Sequence, residues 1–138
     1  MPALRTAAVG KPLDEKITIN VGFVDLGQID LLVQEGFYAN RTDLIRTAIR
    51  NQLASHAEAV RAVVSRQMLV LGIQHFGAAD LEAVRKAGET LRLRVLGLLS
   101  IATDVSVELA QATIESLVVL GSLHASPAVK AALAERMR

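Results

Sequence analysis

The chain has no cysteine and no tryptophan, and aromatic residues make up only 3% of its 138 positions. Without cysteine it can form neither a disulfide framework nor a thiolate metal site, and it has no cysteine nucleophile. No apolar run reaches the roughly 18–20 residues that span a bilayer, and residues 1–15 lack the apolar core of a signal peptide. We therefore expect a soluble, cytoplasmic protein.

A strong charge of either sign is also missing. The formal net charge is +1, although 51% of the residues are hydrophobic and can build a core. Any affinity for nucleic acid must therefore come from local placement of charge rather than from a globally basic surface. The sequence also lacks a Ser-His-Asp order, paired catalytic carboxylates and a phosphate-binding loop. We expect a protein that is not an enzyme and uses no cofactor.

One short segment near the start alternates between polar and apolar residues. Residues 1–14 contain Pro2, Gly10 and Pro12, have no periodicity, and are predicted to form a flexible arm. The segment Lys16–Val21 that follows has the period of a β-strand: its apolar side carries Ile17, Ile19 and Val21, and its polar side Lys16, Thr18 and Asn20. A lone strand is not stable. The pattern therefore predicts an obligate dimer in which the strands of two copies form a ribbon.

Two helices are predicted directly after this strand. From Val24 to Glu35 the apolar residues have helical spacing, and Gly36 stands where a left-handed C-terminal residue is favoured. Asn40 is a good N-cap, and Asp43 lies three residues further on, as in a variant of the capping box. The next apolar stripe runs from residue 44 to residue 53, and we expect this helix either to continue or to break near Ser55.

After residue 67 a pattern repeats. The tripeptide Val-Leu-Gly recurs at 70–72, 95–97 and 119–121, and each copy precedes a small-residue turn and a helical stretch. Helices are expected within Asp80–Ala87, Ser106–Thr113 and Pro127–Met137. The regular spacing indicates stacked strand-turn-helix units, and strands that are apolar on both faces are typical of a parallel sheet. The glycines inside these strands indicate either a close approach of backbones or a helix packed closely against the strands.

The region with the predicted strand and the two helices after it resembles the ribbon-helix-helix family of DNA-binding proteins, of the Arc/MetJ/CopG type. The resemblance covers about residues 15–54. It rests on the ribbon strand, on Ile29-Asp30-Leu31-Leu32-Val33 in the first helix, on the Gly36-Phe37-Tyr38 turn, and on the helix start Asn40-Arg41-Thr42-Asp43-Leu44-Ile45-Arg46. The CopG-like members match the last pattern closely. The fold class implied is α+β, an intertwined ribbon-helix-helix dimer followed by a small domain of three strand-turn-helix repeats with a parallel sheet.

The resemblance implies a role for particular residues. The paired ribbon enters the major groove of double-stranded DNA, where Lys16, Thr18 and Asn20 read base edges. The start of the second helix, Asn40, Arg41 and Thr42, contacts phosphates. From the residues alone, the same pattern also fits the solvent-exposed face of any amphipathic strand, and Asn40 also fits a helix N-cap with no further role. Arg46 and Arg50 fit a solvated face or intersubunit contacts better than DNA contacts.

The predicted domains are a flexible arm (1–14), a DNA-binding and dimerisation domain (15–56), a helical linker (57–67) and a repeat domain (68–138). Residues 1–56 contain six Lys/Arg and six Asp/Glu, which predicts modest affinity from one dimer and DNA binding by several dimers side by side. The repeat domain is expected to drive assembly to a tetramer or larger, or to sense a signal. His75 and His124 share one repeat position, with Ser100 between them. They are two strands apart, too far to share a metal within one chain. A site across subunits stays open, but the favoured interpretation is that they are partly buried polar residues at a sheet edge.

The function predicted is a sequence-specific transcriptional regulator, in the first place a repressor, acting in the cytoplasm at the nucleoid. Two alternatives remain. The chain can be a polymerising or scaffold protein with weak or no DNA binding. It can also be an antitoxin, although antitoxins of this fold usually act through a flexible polar tail and the second half here is apolar and periodic.

Overall fold

The computed structural model describes residues 14–138, so that all of the predicted arm except Asp14 lies outside it. The chain divides into two compact units. One is Lys16–Val63, and the other contains Val64–Arg138 together with Asp14 and Glu15. The division falls inside the segment 57–67 that the sequence analysis treats as a linker, and the domain limits given there stay a prediction. Each unit is described by itself below.

The first unit is an extended segment followed by helices. Residues 16–22 have no helix or strand assignment and are exposed. Helix α1 spans Phe23–Gln34 and helix α2 spans Arg41–Ser55. Helix α3, Ala57–Gln67, begins after a one-residue interruption at His56 and continues past the division between the units. The helical pattern is thus interrupted at the end of α2, next to Ser55.

The second unit alternates strands and helices. Its elements in chain order are β1 (Val70–Phe76), α4 (Ala78–Lys86), β2 (Leu91–Ile101), α5 (Val107–Thr113), β3 (Ile114–His124) and α6 (Pro127–Leu133), with a 3₁₀ turn at Ala134–Arg136. The strands form one sheet in the order β1-β2-β3, and both neighbouring pairs are parallel. The predicted mixed fold with a three-strand parallel sheet is confirmed.

The predicted start of one helix is corrected. Helix α4 begins two residues before the predicted Asp80, because the Asp80 carboxylate accepts the N–H of Gly77 (2.8 Å) and fixes the start there. Helix α6 begins at the predicted Pro127 and lies within the predicted range, and the residues after Leu133 tighten into the 3₁₀ turn. Met137 then forms an isolated parallel bridge with Leu117, and Arg138 N–H donates to the Leu117 carbonyl (3.0 Å).

The core of this unit lies between the helices and one face of the sheet. Alternate residues of β2 point into it, and helix residues meet them from α4, α5 and α6. The buried residues include Leu93, Val95, Leu99, Ile101, Leu81, Leu109, Val129 and Leu133. On the other face the row Leu71–Leu96–Leu120 is set by the register, and its two outer members remain 68% and 51% exposed. Apolar residues on both faces of the strands predict a sheet that is covered on both faces. Along this row the sheet is covered on one face only.

A row of three glycines crosses the sheet. Gly72, Gly97 and Gly121 are direct register partners, and their φ angles are +123°, +140° and +121°, a region that side chains disfavour. A Cβ atom on Gly97 would overlap the carbonyl oxygen of Gly72 and lie 3.0 Å from its carbonyl carbon, and Gly121 meets Gly97 in the same way. The predicted close backbone approach is present at this row.

We expect Gly97→Ala to destabilise the second unit more than Gly72→Ala. Both substitutions place a side chain at an unfavourable φ, which costs about 1–3 kcal/mol. Only the alanine at 97 also meets a neighbouring carbonyl, whereas nothing lies within 4 Å of a Cβ on Gly72. Urea unfolding of the full chain, followed by circular dichroism, measures the two free energies. Equal losses would show that backbone strain alone, and not close approach, selects glycine here.

Candidate nucleic-acid interface

The extended segment presents both of its faces to solvent. On the apolar side Ile17 is 75% exposed and Ile19 is 66% exposed. On the polar side Lys16, Thr18 and Asn20, the predicted base-reading residues, are exposed as well. Within residues 14–138 this segment pairs with no strand. Its side chains and its backbone hydrogen-bonding groups are therefore available to a second molecule.

The turn between α1 and α2 follows the predicted pattern. Gly36 has φ +84°, its N–H donates to the Val33 carbonyl (3.1 Å), and the Phe37 N–H donates to the Leu32 carbonyl (3.0 Å). These two bonds form a Schellman motif. A residue with a Cβ disfavours this left-handed conformation, so the predicted helix-ending role of Gly36 is confirmed.

Asn40 caps the start of α2. Its Oδ1 accepts the N–H of Asp43 (2.8 Å), and the Asp43 carboxylate accepts the N–H of Ala39 (3.0 Å). The carboxylate thus bonds one residue earlier than in the standard capping box. The Asn40 carbonyl also accepts the Leu44 N–H (3.3 Å). In the described part of the chain no partner is recorded for the N–H groups of Arg41 and Thr42, the first two of the helix.

Arg41 makes a contact that the sequence pattern does not predict. Its Nε donates to Oδ1 of Asp30 (2.7 Å) and its Nη2 donates to Oδ2 (2.9 Å), so that the two side chains form a two-pronged ion pair between α1 and α2. The hydrogen bond from Arg41, and secondly its charge, lowers the pKa of Asp30, and the same contact raises the pKa of Arg41. The pair is half exposed. The partners are eleven positions apart in the sequence, and no short-range pattern predicts such a contact.

The helices of this unit also expose apolar side chains. No residue of α1 or α2 is buried in the single chain. The most exposed apolar side chains of the two helices and of the turn between them are Phe23 (93%), Val24 (74%), Phe37 (70%), Leu53 (60%), Leu31 (55%) and Ile49 (46%). Arg46 and Arg50 are exposed on α2. A large apolar surface is therefore left uncovered by the chain itself.

A second polar group lies on the sheet. The register pairs His75, Ser100 and His124 in one row, as the repeat position predicts. His75 Nδ1 lies 3.0 Å from Ser100 Oγ, whereas His124 Nδ1 is buried and has no hydrogen-bond partner among residues 14–138. His124 also lines a cavity of about 360 Å³ next to the glycine row. Within residues 14–138 no three potential ligands are grouped to hold a metal ion.

The first unit thus consists of an exposed extended segment followed by two helices, and a separate unit of alternating strands and helices follows it. A model of the ribbon-helix-helix transcriptional regulator family matches residues 12–130, which is most of the chain. The chain belongs to this family, whose members regulate transcription by binding DNA. No curated protein and no solved structure matches it. None of the helices described is long and apolar enough to cross a membrane.

We expect Asn40→Ala to destabilise the first unit by about 1 kcal/mol, because the alanine removes the acceptor for the Asp43 N–H. Asn40→Asp should leave stability nearly unchanged, since aspartate caps a helix as well as asparagine does. Thermal unfolding of the two variants and the wild type measures the difference. An alanine variant as stable as the wild type would mean that water or another group replaces the cap.

Proposed function

We propose that the chain is a sequence-specific DNA-binding repressor that acts as a dimer, with residues 16–21 of two copies paired as an antiparallel ribbon in the major groove. The observation that carries this proposal is the extended and exposed segment Lys16–Val21, which has alternating faces and pairs with no strand among residues 14–138. It lies in a chain of the ribbon-helix-helix family.

Pairing resolves two unfavourable features of the single chain. The backbone N–H and C=O groups of the segment gain strand partners, and Ile17 and Ile19 pack between the ribbon and the helices. Covering an exposed isoleucine side chain contributes roughly 1.5–3 kcal/mol, and each dimer covers two copies of both. The exposed apolar residues of α1 and α2, such as Phe23 and Leu53, supply further surface for the same interface.

The polar side of the paired ribbon has the chemistry to read bases. A two-stranded β element fits the major groove. Lys16 can donate to guanine O6 and N7, Asn20 can pair with adenine N6 and N7, and Thr18 can hydrogen-bond or touch a thymine methyl group. Two copies present six such side chains in a symmetric order, which suits an operator with repeated half-sites.

The start of α2 supplies a phosphate site beside the ribbon. The N–H groups of Arg41 and Thr42 and the positive end of the helix dipole attract an anion. Asn40 contributes by fixing the first turn through its bond to the Asp43 N–H. Contacts of this kind position the protein on DNA without reading sequence, so that specificity resides in the ribbon.

The charge balance favours assembly of several dimers. Residues 16–63 contain five Lys/Arg and five Asp/Glu, and a neutral dimer gains little from counterion release. Linking dimers raises the effective concentration of each on neighbouring half-sites without any new DNA contact. An array of this kind covers a promoter and excludes other proteins, which is the reason for proposing repression.

The second unit provides the surface for that assembly. Leu71 and Leu120 protrude from one face of the sheet, and the outer edge of β1 pairs with no strand of the described chain. Exposed edges and apolar rows of this kind favour pairing with another copy. We propose that they join dimers into a tetramer or larger assembly.

The base-reading role is tested with full-length alanine variants of Lys16, Thr18 and Asn20. An operator is first selected from a random duplex library with the wild-type protein. Each substitution should then weaken operator binding by about 1–3 kcal/mol, because one base contact is lost. Fluorescence anisotropy across a salt series measures the affinities, with a random duplex as reference.

Two exposed positions outside the ribbon provide the controls for this experiment: Lys130→Ala in α6 removes the same charge as Lys16→Ala, and Asn51→Ala in α2 removes an amide. Both should bind the operator as the wild type does. Ribbon variants that fold and bind the operator with unchanged affinity would remove the site assignment. If the wild type selects no sequence from the library, the proposal of a sequence-specific regulator is wrong, and the alternative of a scaffold protein is favoured.

The assembly role is tested by light scattering on the full chain. Wild type should have the mass of a tetramer or more, and the double variant Leu71→Lys/Leu120→Lys should have the mass of a dimer, because two lysines replace the exposed leucines on the sheet face. Ala83→Lys, at an exposed position of α4, is the matched control and should assemble normally. A wild-type mass equal to that of a dimer would contradict the assembly role.

A further inference from the structure

Arg41 stands at the first position of α2, where the proposed phosphate site lies, and its guanidinium is already engaged. Both of the bonded nitrogens, Nε and Nη2, donate to the carboxylate of Asp30 at 2.7 and 2.9 Å. The pair carries no net charge. The cation at the first position of the helix is therefore matched by an anion of the same chain.

A DNA phosphate and the Asp30 carboxylate offer the same recognition chemistry. Each presents two oxygens that fit the planar fork of a guanidinium. Exposed ion pairs contribute little to stability, because water solvates both partners when they separate. Side-chain exposures of 55% for Arg41 and 49% for Asp30 place this pair in that class. A phosphate that takes over Arg41 therefore breaks only a weak pair, but it leaves the negative Asp30 carboxylate unpaired beside the negative DNA backbone, and this opposes the exchange.

We propose that Asp30 competes with the DNA phosphate for Arg41 and so lowers the affinity for DNA in general. This inference rests on the proposed function, since it assumes that the start of α2 meets the backbone. Phosphate contacts carry no sequence information. A competitor at this site therefore weakens binding to every duplex and leaves discrimination between sequences to the ribbon.

The competition predicts a specific change in salt dependence. Asp30→Asn removes the competing charge, so that one more phosphate contact forms per protomer and two per dimer. Each contact steepens the slope of log K against log salt by about 0.9. The variant should bind random duplex more tightly than the wild type at low salt. Its affinity should also fall about ten-fold more than that of the wild type between 50 and 200 mM salt.

The experiment measures fluorescence anisotropy of random and operator duplexes with four full-length proteins: wild type, Asp30→Asn, Arg41→Gln and the double variant. Asp30→Asn should tighten binding in the wild-type background and have no effect in the Arg41→Gln background, because Arg41 is the group that it releases. Glu58→Gln is the matched control, since Glu58 pairs with Arg61 in the same unit and is also exposed. It should shift binding far less than Asp30→Asn.

The outcomes separate this inference from the proposed function. If the wild type binds duplex and Asp30→Asn binds with the same or lower affinity, or if Glu58→Gln produces an equal gain, competition by Asp30 is wrong and the proposed function stands. If no protein of the set binds duplex, both are wrong. Thermal unfolding of each variant identifies any change that comes from loss of folding instead of loss of competition.

Discussion

The proposed dimer depends on how the isolated extended segment finds hydrogen-bond partners for its backbone N–H and C=O groups. Within the described residues the segment Lys16–Val21 has no strand partner, and its isoleucines are largely in contact with water. Neither condition is favourable for a folded chain, because strands gain stability from pairing and apolar side chains from burial. The proposed remedy is the same segment of a second copy. From that pairing follow the rest of the proposals: the polar side chains align on one surface of the ribbon, and the starts of the α2 helices provide phosphate sites beside it.

A different constraint governs the second unit. Strands β1, β2 and β3 approach one another closely at the glycine row. A Cβ atom on Gly97 would overlap the carbonyl of Gly72, and a Cβ atom on Gly121 would overlap the carbonyl of Gly97. The strand register that pairs the three glycines also aligns two further rows, Leu71–Leu96–Leu120 and His75–Ser100–His124. The family model matches through residue 130 and so includes this unit as well as the first. The match therefore covers the sequence of all three strands, whereas the sequence resemblance alone extended only to about residue 54.

Local rules predicted the features that depend on near neighbours. The Asn40 cap, the left-handed Gly36 and the strand-helix alternation after residue 67 each follow from residues within a few positions of one another. The parallel register was also predictable, because three copies of one tripeptide have to align to stack. What could not be predicted depends on contacts between distant positions. The Asp30–Arg41 pair joins residues that no periodicity connects, and the uncovered row at Leu71 and Leu120 depends on which sheet face the helices occupy. Helix α4 begins before the predicted Asp80, because the hydrogen bond from the Gly77 N–H to the Asp80 carboxylate sets its start.

The most direct measurement is disulfide trapping at the ribbon, which the absence of native cysteine makes simple. Four full-length variants each carry one cysteine, at Ile17, Thr18, Ile19 or Asn20, and a fifth carries it at Glu58 as a control. Next to the two-fold axis of an antiparallel pair, a residue faces its own copy with Cβ atoms about 4.5–5.5 Å apart, which mild oxidation can join. The account predicts a covalent dimer at one or two neighbouring ribbon positions, with a steep fall on either side and none at Glu58. Equal trapping at all five positions, or no covalent dimer from a folded protein, would contradict it.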